Sequence, residues 1–142
     1  MMAQYPSQEI ARRSFDYRTL GLGFANLGGL LMSSGLAYDS ENARAVAAGI
    51  SALMTGSAYR ASAEMASAVG PFAKYQQNRD AMMRVLRNHR RACVGTAIGG
   101  EFEALEVEPV LFDANACPWD ELTQASRRVW NEAYELGAIN GF

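Results

Sequence analysis

The sequence predicts an all-α fold, with about four to five helices and an irregular Gly/Glu-rich connection near residues 94–117. Three observations predict it. Apolar residues recur at spacings of three and four over long stretches, the period of a helix facing a core. Capping residues open those stretches and glycines close them. No strand is assigned anywhere, and no internal repeat is visible.

A first short helix is expected over residues 6–17, because Pro6 suits a first turn, Glu9 complements the positive end, and Ile10 and Phe15 supply apolar contacts. It should end at Arg18 and Thr19. A glycine-rich stretch, 20–29, leads into a helical pattern at Leu27, Leu30 and Leu31 with a stop at Gly35. The clearest element is a long helix over 40–69, with Asp39 or Ser40 as N-cap and Gly70-Pro71 as its end. Val46, Ile50, Leu53, Met54, Ala61 and Met65 form its large apolar stripe, and Ala45, Gly49, Ala52, Gly56 and Ala63 form a second stripe of small residues. Small side chains at this spacing let a second helix approach closely, so both faces are expected to be buried. A further helix should run from Asn78, a good cap, to about Ala92, with Met82, Leu86, His89 and Cys93 on one side and a basic face on the other. Between Val94 and Pro118 the pattern fails, punctuated by Gly95, Gly99, Gly100 and Pro109 and crowded with Glu101, Glu103, Glu106 and Glu108. A last helix starts at Pro118-Trp119-Asp120, carries Leu122, Val129, Trp130, Ala133 and Leu136, and is expected to stop before Gly137.

The 142 residues, 49% hydrophobic and 20% charged, suit one globular domain with a real core. With 13 basic against 15 acidic residues the chain as a whole is not built to hold polyanions or an acidic membrane surface. Two cysteines, Cys93 and Cys117, and one histidine, His89, exclude most zinc sites and catalytic triads. They fit a reducing cytoplasm, and no secretory signal is evident at the first residues. Residues 19–38 are uncharged over the length of a membrane span, yet Gly21, Gly23, Gly28, Gly29, Gly35, Asn26, Ser33 and Ser34 leave too little apolar bulk to insert. Burial inside protein is expected for them instead.

Gly21 and Gly23 come near the dinucleotide fingerprint G-x-G-x-x-G, but Asn26 stands at its third position and no strand precedes it. The reading preferred is a glycine-lined packing turn made by Gly21, Gly23, Asn26 and Gly28. Arg79, Arg84, Arg87, Arg90 and Arg91, with His89, are the strongest local charge cluster. Of these, Arg84, Arg87, Arg90 and Arg91 are candidate anion or carboxylate contacts, against the plainer reading of a solvated helix face or one paired with the Glu-rich stretch. His89 lies on the apolar side and reads as a packing residue rather than a base. Cys93 and Cys117 lack C-x-x-C spacing, and buried unreactive thiols are preferred over a redox pair or a radical carrier.

Several separated motifs resemble the large chain of adenosylcobalamin-dependent (class II) ribonucleotide reductases. They are Arg18-Thr-Leu-Gly-Leu-Gly-Phe-Ala-Asn-Leu-Gly-Gly-Leu-Leu-Met32, Tyr38-Asp-Ser40, Met54-Thr-Gly-Ser-Ala-Tyr59, Ser62-Ala-Glu-Met-Ala66, Gly70-Pro-Phe72 and Arg87-Asn-His-Arg-Arg91. Cys117-Pro118 and Trp130-Asn-Glu-Ala-Tyr-Glu-Leu-Gly137 follow in the same order, and the Glu-rich stretch is the least similar part. The resemblance implies an enzyme that reduces ribonucleotides through a thiyl radical generated by adenosylcobalamin. It also implies that the radical cysteine, with its neighbouring Asn and Glu, precedes position 1 and that the substrate-phosphate loop follows position 142. Cys93 and Cys117 match no catalytic cysteine of that family, so no catalytic residue and no cofactor are assigned to the isolated chain. The segment is expected to be the mostly helical connection between the two halves of the reductase barrel, a cytoplasmic scaffold inactive alone. Its partner is then the remainder of the reductase chain, with no nucleic acid and no membrane. The rival expectation is a free-standing helical interaction module that self-associates as a homodimer, covering its unpaired glycine-rich face.

Overall fold

Ser7 opens the first helix, α1 (Gln8–Tyr17), by accepting the Ile10 N–H at 3.3 Å. Pro6 therefore sits before the cap rather than inside the first turn. Arg18, left-handed at φ 46°, ends the helix. The computed structural model describes residues 4–98 and 100–142, without the side chains of Thr96 and Ala97. No residue of α1 is buried, and Ile10 and Phe15 are exposed, so the described residues do not bury them as expected. Two bonds tie α1 down at its end: Arg18 Nη2 to the Gly70 carbonyl at 2.9 Å and the Lys74 N–H to the Asp16 carbonyl at 3.1 Å.

Asn26, also left-handed at φ 65°, precedes α2 (Leu27–Ser33), whose one buried residue is Leu31. Gly35 at φ 71° turns the chain toward α3 (Glu41–Val69). Ser40 caps α3 by accepting the Ala43 N–H at 3.1 Å, and Gly70 ends it at φ 82°, where a Cβ would be strained. Most of the small-residue stripe is buried: Ala45, Gly49, Gly56 and Ala63 lie inside, and Ala52 is half-buried. Burial of both faces is incomplete. In the large stripe Val46 is fully buried and Ile50, Leu53 and Met54 are half-buried, while Ala61 and Met65 are exposed, because α3 meets its main partner mainly along the small stripe.

That partner is α5 (Asp120–Asn140). The Ser126 hydroxyl, fully buried, lies 3.0 Å from the Gly49 carbonyl and 2.8 Å from the Leu122 carbonyl, pinning the crossing with one shared proton. The expected stop at Gly137 is corrected: α5 runs on to Gly141 at φ 75°. The missing side chain at Gly137 has a packing reason, since a Cβ there would collide with the Phe142 ring.

The fourth helix, α4 (Tyr75–Val94), begins three residues before the expected cap. Lys74 is its N-cap, and Asn78 sits within the first turn, donating from Nδ2 to the Lys74 carbonyl at 2.9 Å. Burial of Tyr75 decides this start: its ring packs edge-on to Phe72 at 5.5 Å and to Phe142 at 6.3 Å. A short 3-10 turn, Gly95–Ile98, follows, and from 100 to 119 the chain is irregular, as the spacing predicts. Gly99 lies outside the described residues. The Phe112 N–H donates to the Ala92 carbonyl at 2.8 Å, and Asp113 Oδ1 accepts from the Asn115 and Ala116 N–H groups, turning the chain into α5. Among the described residues there is no strand, so this chain is all-α, and no helix is long and apolar enough to cross a membrane.

Candidate functional site

Two arginines of the basic face of α4, Arg87 and Arg91, are engaged by Glu103 of the acidic connection. Arg87 donates from Nε and Nη2 to the two carboxylate oxygens of Glu103, each at 2.7 Å, and Arg91 adds Nη1 at 2.8 Å. Asn88 completes a clasp: its Nδ2 donates to the Glu103 carbonyl at 2.9 Å and its Oδ1 accepts the Glu103 N–H at 2.9 Å. The hydrogen bonds from Arg87 and then Arg91 hold the Glu103 carboxyl down to about 2. In return, the bond to Glu103 raises the Arg87 pKa above its ordinary value. Arg90 turns the other way, donating to Asn131 Oδ1 at 2.7 Å with its guanidinium 5.0 Å from the Tyr134 ring centroid. Arg84 is exposed. The structure thus gathers Arg87 and Arg91 on one carboxylate and keeps Arg84 and Arg90 apart from it. Sequence reasoning named the arginines and Glu103 but missed Asn88, whose role depends on a neighbour fifteen positions away.

The thiols lie in the interior. Cys93 and Cys117 are free and buried, and burial pushes the Cys93 thiol up to about 11 against the opposing pull of Arg127. Cys117 Sγ points to the Trp119 carbonyl at 3.7 Å. His89 stacks on Trp130, with ring centroids 5.3 Å apart and planes 9° from parallel. The residue is exposed at the surface, and partial desolvation of its ring lowers its pKa. Among the described residues no cluster of three His, Cys, Asp or Glu side chains could hold a metal ion.

Two cavities flank α3. The smaller, about 250 Å³, is lined by His89, Cys93, Phe112 and Trp130 among others. The larger is an open groove of about 620 Å³ between α3 and α4, walled by Met54, Tyr59, Met82 and Phe142 and bordered by Arg18, Leu20 and Leu22. Burial of residues 19–38 inside protein is not what this chain alone provides: residues 19–26 are exposed. A Cβ added at Gly21 or Gly23 would meet nothing within 4 Å, whereas one at Gly28 would face the Tyr38 ring at 3.7 Å. Asn26 supplies the left-handed turn before α2. The groove escaped sequence reasoning because its walls come from several separate elements.

Comparison with known proteins places this fold. The ribonucleotide reductase barrel domain matches residues 1–134. The vitamin B12-dependent ribonucleotide reductase of Agrobacterium fabrum is 51% identical over 142 residues, which is 100% of this chain and 11% of that protein. The enzyme of that description from Bradyrhizobium diazoefficiens is 49% identical over the same span, again 11% of its length. The one from Rhodopirellula baltica is 40% identical over 140 residues, covering 99% of this chain and 12% of that protein. The chain thus spans about a tenth of the length of the relatives it matches. With its match running through nearly all of the sequence, the chain belongs to the ribonucleotide reductase barrel-domain family.

Proposed function

We propose that this chain is a helical scaffold segment of a vitamin B12-dependent ribonucleotide reductase, the connection between the two halves of its barrel, and that it supplies no catalytic group. The observation that carries this reading is the alignment of the entire chain, at 51% identity, with 11% of a reductase of that description. Side-chain chemistry supports it. Adenosylcobalamin, which such an enzyme uses, would need a thiol turned toward its cobalt–carbon bond. The large groove has no Cys, His, Asp or Glu in its lining. Cys93 lines a cavity of about 250 Å³, smaller than the roughly 300–1,000 Å³ of ordinary small-molecule sites. The residues present do not fit that cofactor, and in this reading the rest of the reductase holds it.

The partner is the remainder of the reductase chain, and the setting is the cytoplasm. Gly21, Gly23, Asn26 and Gly28 serve close packing against that remainder. Arg87 and Arg91 are carboxylate contacts within the scaffold, Arg90 braces α5, and Arg84 is left as an outward anion contact. With three of the four engaged, nucleic-acid affinity is weak and lost with modest salt. Two incubations with adenosylcobalamin, a ribonucleotide and a dithiol test the reading. The isolated chain should yield no deoxyribonucleotide, whereas the Agrobacterium fabrum reductase carrying this chain in place of its matching segment should yield it. Turnover by the isolated chain, or a folded chimera without turnover, would overturn it.

A further inference from the structure

Three rings in contact connect the two cavities that flank α3. Exposed His89 stacks on Trp130 with centroids 5.3 Å apart, and the Trp130 ring lies 5.8 Å from the Tyr59 ring. His89 and Trp130 line the smaller cavity, and Tyr59 lines the open groove. A buried indole ordinarily finds a partner for its N–H. Trp130, 1% exposed, does not: its Nε1 is buried with no acceptor among the described residues, and Gly56, which faces it, has no side chain to supply one. An indole that loses an electron becomes a cation with an acidic N–H. Without an acceptor that proton stays, and a cation held in the interior is costly, so the oxidising equivalent passes to a neighbour that can release a proton. Tyr59 is such a neighbour, half-buried against a groove whose water takes the phenolic proton. Burial raises its pKa, so the phenol enters the step protonated. Tyr134, one turn along α5 from Trp130, is the poorer electron donor: the Arg90 guanidinium stands 5.0 Å from its ring centroid, and an adjacent positive charge opposes loss of an electron. Beyond Tyr59 stands Phe142 at 5.7 Å, a ring without a hydroxyl, so the path ends at Tyr59.

We propose that Trp130 and Tyr59 form a one-electron relay that carries an oxidising equivalent from the His89 face of the molecule to the open groove, where it is discharged. A peroxyl-class oxidant meeting exposed His89 takes one electron from Trp130 across the stacked ring and, with a proton from water, leaves as a hydroperoxide. Tyr59 then gives one electron to Trp130 and its phenolic proton to water in the groove. Trp130 is restored with its N–H in place, and Tyr59 is left as a neutral tyrosyl radical. A hydrogen-atom donor of the ascorbate class entering the groove supplies an electron and a proton and restores Tyr59. The net change is reduction of the oxidant by the donor, with the protein unaltered. The relay stands independently of the scaffold reading, since every group in it belongs to this chain.

His89 is the sole histidine, so a photo-oxidising ruthenium polypyridyl complex can be attached there alone. In the Trp119→Phe chain Trp130 is the remaining tryptophan. A laser flash with an electron-accepting quencher converts the attached complex to its ruthenium(III) oxidant. Transient absorption should then show the indole radical decaying as a tyrosyl radical rises, at a rate independent of protein concentration. Tyr59→Phe keeps the ring and removes only the hydroxyl; it should lose the tyrosyl signal and prolong the indole radical. The double variant of Tyr75→Phe and Tyr134→Phe, which keeps Tyr59, should retain the transfer and decides the matter even if Tyr59→Phe fails to fold. Absence of a tyrosyl radical in the parent chain would overturn the relay, as would its survival in folded Tyr59→Phe, its loss in the folded double variant, or a rate that rises with protein concentration. Under a steady source of peroxyl radicals with ascorbate present, oxidised Trp130 should accumulate faster in Tyr59→Phe than in the parent, and equal accumulation would overturn the discharge through the groove.

Discussion

Gly56 measures the central packing contact most sharply. It is buried midway along α3, where a Cβ would meet Val129 Cγ1 at 2.7 Å and Trp130 Cδ1 and Nε1 at 3.2 Å. On an open helix face Gly56→Ala would stabilise by about 1 kcal/mol through propensity. Here the added methyl must displace a β-branched side chain that is stiff about χ1 and a buried indole stacked on His89. Overpacking of that kind costs about 1–3 kcal/mol, so alanine should lose about 1 kcal/mol net and leucine about 3 or more. Gly49→Ala is the comparison. Its Cβ would meet Leu122 Cδ2 at 2.9 Å and Cγ at 3.0 Å, in a half-buried side chain with room to re-seat, and the change should cost less than Gly56→Ala. Urea denaturation reads the difference: with m of about 2 kcal/mol/M, Gly56→Ala should lower the midpoint by about 0.5 M at unchanged m. If Gly49→Ala and Gly56→Ala both raised the midpoint, the small stripe would not be the face that meets α5.

Three further outcomes follow from the geometry. Glu103→Gln should destabilise by about 1 kcal/mol at neutral pH, the charge-assisted bonds being discounted for a carboxylate one-third exposed. Because the folded value is depressed, that contribution is complete above the ordinary carboxylate value and lost as pH falls through about 2, so native and variant stabilities should converge over that window. Cys93, with its thiol pushed up to about 11, should resist a thiol reagent at pH 8 in the folded chain and react once urea unfolds it; equal rates in the two states would contradict its burial. Phe142→Ala should lose about 3–5 kcal/mol in the same denaturation assay, since its ring covers Gly137 and meets Tyr59 at 5.7 Å; a loss under about 1 kcal/mol would contradict that packing.

The parts legible in the sequence were those whose signals are local. Ser40 and Gly70 bracket α3 by their own chemistry, and the stripe of Gly49 and Gly56 announces a close helix neighbour without naming it. Where long-range contacts decide, local reading slipped. Asn78 is the better cap by composition, yet burying Tyr75 against Phe72 and Phe142 starts α4 earlier. Gly137 looks like a stop, yet it is a seat for Phe142. The exposure of Ile10, Phe15 and Met65 has another cause: their apolar character has no matching surface in this chain. For the candidate site, the pairing of basic α4 with the acidic connection was readable from charge, whereas the Asn88 clasp and the groove required the fold.

The scaffold claim is tested most directly by removing both sulfurs. In the Agrobacterium fabrum chimera, the double substitution of Cys93→Ala and Cys117→Ala should leave deoxyribonucleotide formation within about threefold of the unsubstituted chimera, a change under about 1 kcal/mol in barrier. Both thiols are buried, and neither borders the large groove. A folded double variant that binds adenosylcobalamin but forms no deoxyribonucleotide would contradict the account, because a thiol of this segment would then take part in the reaction.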